Sequence, residues 1–112
     1  MVDLKPQVVE VLEALGLPVY YELFADASTP TPCITYMELN NADYLTGDTI
    51  EYSNLAFQIK VWSKSVSVMS QKSIEIDNAL KQLGFRRTFA AELFAGDMGQ
   101  RIMRFEAIAF KK

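Results

Sequence analysis

The chain has 112 residues, 50% of them apolar, with one cysteine, no histidine and a formal charge of −3, so it is expected to form one domain around one core, with a radius of gyration of about 13 Å. The lone Cys33 excludes a disulfide scaffold, and the missing histidine excludes Ser-His-Asp triads, Cys-His dyads and the common zinc sites. Carboxylates, lysine and tyrosine remain as acids or bases, but no spacing singles out a pair, so neither enzymatic activity nor a cofactor is expected.

Taken in chain order, the first signal is helical. Val8, Val11, Leu12 and Leu15 recur at the spacing of one helix face. With Asp3 as N-cap, Pro6 in the first turn and Gly16 placed for a left-handed stop, this predicts a helix over residues 4–15. Val19 to Phe24 favours a strand. Ala25 to Pro32 is turn-rich, and a second strand is predicted from Cys33 to about Leu39. Asn40 to Ser53 is polar and reads as a long connection or a protruding hairpin, longer than ordinary loops. In Asn54 to Trp62, Leu55, Phe57, Ile59 and Val61 alternate with wetter residues, the pattern of a strand buried on one face.

Ser63, Ser65 and Ser67 are candidate N-caps for a second helix over residues 66–83, with Met69, Ile76, Leu80 and Leu83 as its buried stripe and Gly84 as its stop. Phe85 to Leu93 and Arg101 to Phe110 then read as a strand pair joined through Gly96-Asp97-Met98-Gly99. In the last strand Met103, Phe105, Ala107 and Ala109 share one face, and Arg104 and Glu106 the other. The order α-β-β-β-α-β-β predicts an α+β fold, a mainly antiparallel sheet packed against two helices on one face. No run approaches the roughly 18 apolar residues of a membrane span, and no leader pattern precedes the first helix, so a soluble, untargeted protein is expected.

Charge is distributed unevenly. Residues 1–56 hold one base against nine acids, a balance of −8, and residues 57–112 hold ten bases against five acids, a balance of +5. Either the halves neutralise each other within one monomer, or an acidic surface of one subunit faces a basic surface of the next. Head-to-tail contacts of the second kind close into rings when the rotation permits.

Three constellations merit weighing for chemistry. Asp43, Asp48 and Glu51 resemble a hard-cation loop in composition, but their spacing does not match an EF-hand, and a solvated loop without metal is the simpler reading. Arg86 and Arg87, with Arg101 and Arg104 on the facing strand, suggest a basic patch that would resemble a single-strand-binding platform if Trp62 or Tyr52 lay beside it; no phosphate-binding or RNA-binding motif supports that use. Tyr20, Tyr21, Tyr36, Tyr44, Tyr52 and Trp62 are numerous for the size, and Tyr44 and Tyr52, in the polar connection, are of the kind enriched at protein interfaces. Asp43, Tyr44, Asp48, Glu51, Tyr52, Arg86, Arg87 and Arg101 are therefore the candidate interface residues, the acids as complements to the arginines.

The segments GLPVYYE (16–22), PCITYMELN (32–40), DTIEYSNLAFQIKVWSKS (48–65), ALKQLGFRR (79–87) and MGQRIMRFEAIAF (98–110) together resemble the tail completion or tail terminator proteins of long-tailed phages and prophages, from about Leu4 to Phe110. That resemblance implies an α+β subunit of a hexameric ring at the head-proximal end of the tail tube. Such a ring ends tube polymerisation and joins the tail to the head. The implied partners are further copies of the chain, the tube protein and the head or neck connector proteins. DNA would be passing cargo only, no membrane is involved, and the location would be the virion's head-tail junction, or the bacterial host cytoplasm during assembly. A head-closure or adaptor protein of the same neck, and a small dimeric ligand-binding or regulatory α+β domain, are the competing expectations.

Overall fold

The computed structural model describes residues 1–26, 28–47 and 50–110; Asp48 lies outside them. Helix α1 (Lys5–Glu13) is followed by strand β1 (Val19–Tyr21), a short 3₁₀ helix (Glu22–Phe24), the long strands β2 (Cys33–Thr46) and β3 (Ile50–Ser63), helix α2 (Val66–Gln82), and strands β4 (Arg86–Ala95) and β5 (Met98–Phe110). The five strands form one sheet in the order β1-β2-β3-β5-β4. Every pairing is antiparallel except that of β1 with β2. The fold is α+β, with the helices on one face.

The alternation in β3 determines that face. Leu55, Phe57, Ile59 and Val61 are fully buried and meet Val8 and Leu12 of α1, Met69, Ile76 and Leu80 of α2, and Met103 and Phe105 of β5 in one core. Helix α1 packs on β1 and α2, whereas α2 lies over β3, β5 and the margin of β4. Both helices stop at glycines with positive φ, Gly16 (91°) and Gly84 (92°), a conformation that strains side chains bearing a Cβ. Ser65 caps α2 by accepting from the Val68 N–H at 3.3 Å. At the start of α1 the cap position falls on Leu4, and Asp3 instead accepts from the Lys5 N–H at 3.0 Å. Lys72 of α2 donates to the Leu15 carbonyl at 2.7 Å, placing a cation at the end of α1, where the helix dipole favours it.

Three elements differ from the sequence reading by more than two residues. Only Val19–Tyr21 of the first predicted strand is extended, and the chain then turns through the 3₁₀ helix. The polar connection from Asn40 to Ser53 is the far end of a two-stranded ribbon: β2 and β3 stay paired from Cys33↔Trp62 to Thr46↔Ile50 and reverse through Gly47. This ribbon projects beyond the helices, so the molecule measures 53 × 25 × 23 Å and its radius of gyration is 15.0 Å rather than the expected value for a rounder chain. The last strand starts at Met98, and the turn before it is shorter than predicted. Register shifts at Leu39 and Thr88 add one residue to β2 and to β4, reversing which face the following side chains occupy.

Candidate assembly surfaces

At the end of the β2–β3 ribbon the two faces carry different chemistry. On the face away from the helices Tyr44 stacks on Tyr52 (ring centroids 5.4 Å apart, 21° between planes), and Tyr52 meets Phe110 of β5 at 5.7 Å. Ile108 continues this apolar strip, and Tyr44, Ile108 and Phe110 are exposed. On the helix side the N-terminal segment lies along the ribbon. The Val2 N–H donates to Ser53 Oγ (2.8 Å), Asn41 Nδ2 to the Val2 carbonyl (2.9 Å), and Ser53 Oγ to Asp43 (2.7 Å).

The Met1 ammonium completes that arrangement, 3.2 Å from Asp43 and 3.3 Å from Glu51. Asp43 and Glu51 thus both hold the ammonium within the chain. Hydrogen bonding to Asp43, then to Glu51, raises the ammonium pKa above its ordinary 8.0. A raised folded-state pKa gives stabilisation that is complete below the unfolded value and is lost as pH rises through the folded one. The difference in melting temperature between the free and the N-acetylated chain is therefore expected to be full at pH values below the unfolded 8.0 and to be lost as pH rises above it through the raised folded-state value. A difference constant across that range would remove the ammonium as its cause.

The arginines do not form one patch. Arg86 lies on the face away from the helices, near Glu106 at 3.8 Å, and Arg104 lies on that face over Phe89 at 5.1 Å. Arg87 is on the helix face, donating to Asp77 of α2 at 3.3 Å. Arg101 is also on the helix face, and together with Ser70, Ser73, Ile74, Asp77, Arg87, Ala90 and Met103 it lines a groove of about 300 Å³ between α2 and β4. Its Nε is buried with no hydrogen-bond partner among the described residues. Neither Trp62 nor Tyr52 adjoins an arginine cluster of the expected kind: Trp62 donates to Thr35 Oγ1 at 3.0 Å and lies under the Lys60 ammonium at 5.6 Å.

The opposite flank is acidic. Asp3, Glu10 and Glu13, with Lys5, Pro6 and Val9, edge a shallow recess between α1 and Tyr36 of β2. Glu10 and Glu13 form no ion pair among the described residues. Lys60 and Glu22, at 2.6 Å, join the two halves of the chain, but Lys64–Asp97, Lys72–Glu75, Lys81–Asp77, Arg86–Glu106 and Arg87–Asp77 all stay within the second half. Among the described residues, Glu10 and Glu13 of the α1 flank are thus left without an ion-pair partner, and Lys5 is the one cation lining their recess.

A further concavity lies on the face away from the helices, under the segment after β1. It has a volume of about 600 Å³, and Glu22, Leu23, Cys33, Lys60, Trp62 and Met98 are among its walls. Its inner edge is a polar chain from Arg104 to Gln58 (3.1 Å), Gln58 to Glu22 (3.2 Å) and Glu22 to Lys60. Burial pushes the Cys33 thiol up, which leaves it a weak nucleophile. Among the described residues no group of three or more metal-ligating side chains is placed to hold an ion.

Glu10, Glu13, Ile74, Ile108 and Phe110 were not among the candidates read from sequence. The last two carried a signal, since apolar residues at both parities of one strand point to a sheet face with something to cover. No family model matches this chain, and no curated protein matches it in sequence.

Proposed function

We propose that this chain is the ring-forming terminator of a phage or prophage tail tube, a structural subunit that caps the head-proximal end of the tube, ends its polymerisation and presents a surface to the neck. The observation that carries the reading is the difference between the two flanks: an acidic helix on one side and an arginine-bearing groove on the other. A surface pair of this kind is suited to head-to-tail association, which closes into a ring, and is unsuited to the self-complementary contact of a two-fold dimer. The aromatic end of the ribbon supplies a third surface, of the composition found at protein interfaces.

Light scattering across concentration and salt, with negative-stain imaging of the same samples and of samples mixed with tail tubes, tests it. The expected result is rings of about six subunits that loosen as salt screens the contacts and that sit on tube ends and stop their growth. The cleft beside Trp62 supports a second reading, a small ligand-binding or regulatory domain. A dimer at every concentration, indifferent to tubes, would replace the terminator by that reading.

A further inference from the structure

We infer that the groove between α2 and β4 receives helix α1 of a second copy of this chain, so that the helical layer of one subunit continues into that of the next. The inference rests on the ring reading and names its contact. Two helices side by side cover roughly 20 Å, whereas five strands span roughly 24 Å. With α1 over the β1 side and α2 over β3 and β5, the inner face of β4 is covered only along its margin, through Ala90 and the Arg87–Asp77 pair. Its exposure follows: Phe94 on that face is 50% accessible and Ile74 on the adjoining flank of α2 is 59% accessible. The uncovered margin is roughly 4 Å wide, narrower than a helix, so a helix seated there overhangs the edge strand β4, where a second copy can supply it; among the described residues both α-helices already lie elsewhere on the sheet.

Charge selects which helix. The groove holds Arg101, whose Nε lacks a partner among the described residues, and Arg87, with Lys81 nearby. Asp77 is engaged by Arg87 and Lys81, and Glu92 stands opposite Arg101 in the strand register. The outer flank of α1 offers Glu10 and Glu13 beside Pro6 and Val9, acids flanking a small apolar strip. Arg101 and Arg87 match the two glutamates, and Ile74 and Ala90 match Pro6 and Val9. Because α1 and the groove lie on opposite flanks of one subunit, the contact is head-to-tail.

The test uses two variants of the full chain, Glu10→Lys/Glu13→Lys and Arg101→Glu, each confirmed folded by its thermal melt. Every substituted side chain is at least partly solvent-accessible and free of ion pairs among the described residues, so neither variant is expected to lose the fold. Measured alone in low salt, each is expected to assemble about tenfold or more weakly than the parent. A 1:1 mixture is expected to recover assembly, because alternating subunits then pair a lysine-bearing helix with a glutamate-bearing groove and an unaltered helix with an unaltered groove. Unimpaired variants, or impaired variants that do not rescue each other, would overturn the docking even where the parent forms rings, leaving the ring reading intact. A parent that stays monomeric at every concentration in low salt would also overturn it. Rings that rescue as described but do not arrest tube growth would uphold the contact and sink the terminator function.

Discussion

Replacing Phe57 with alanine is expected to destabilise the fold by about 3–5 kcal/mol, the range for removing a fully enclosed aromatic side chain. Phe57 sits at the middle of β3, the central strand, with no accessible surface, opposite Phe105 in the ladder and edge-on to Phe85 with ring centroids 5.6 Å apart. The neighbours that would have to collapse into the space belong to the sheet and to α2, which are pinned to each other around it, so most of the cavity should persist. A loss of this size approaches the whole stability of a typical domain, about 5–15 kcal/mol. Chemical denaturation should show the midpoint falling with the slope unchanged. Phe110→Ala is the matched control, since the same side chain there is 59% exposed and its loss should cost below about 1 kcal/mol. Equal effects at the two positions would contradict the described core.

The contrast between these two phenylalanines shows what the sequence could convey. Burial on one face of β3 was legible because four apolar residues alternate with four wetter ones and nothing interrupts them. Helix α2 was legible for similar reasons: a serine cap, a repeating stripe and a glycine stop. The ribbon was harder to read, because Asn40, Asn41 and Asp43 are residue types that strands generally avoid. They are held in strand by pairing across β2 and β3 and by the N-terminal segment, whose contacts with Asn41 and Ser53 span some fifty residues or fewer and leave no local signature. The extra residues at Leu39 and Thr88 are equally silent. The second of them puts Ala90, rather than Phe89, on the groove face with Arg87, while the ordinary alternation of the strand sends the adjacent Arg86 and Arg87 to opposite faces. The contact of the ribbon acids Asp43 and Glu51 with the Met1 ammonium was not legible, because an N-terminal ammonium cannot be placed by spacing. The acids of α1 were passed over because an amphipathic helix accounts for them without further purpose.

The separation between ribbon and flanks makes a sharper expectation about function. Tyr52 and the level of Arg101 lie about nine residues apart along β3, roughly 30 Å. Tyr44→Thr combined with Tyr52→Thr removes the stacked pair and keeps residues that suit a strand. Under the proposed function this double variant is expected to fold and to form rings as the parent does, because neither the core nor the flanks are touched. Its affinity for tube ends should nonetheless fall by at least about 30-fold, since an exposed tyrosine pair at the centre of a contact is of the type whose loss costs about 2 kcal/mol or more. Tail-length distributions in electron micrographs measure this directly, arrested tubes giving way to overlong ones as capping fails. Normal lengths would mean that the aromatic end faces something other than the tube. Loss of the rings themselves would mean that the ribbon reaches the neighbouring subunit, in which case the tyrosines and the α2–β4 groove form parts of one continuous subunit contact.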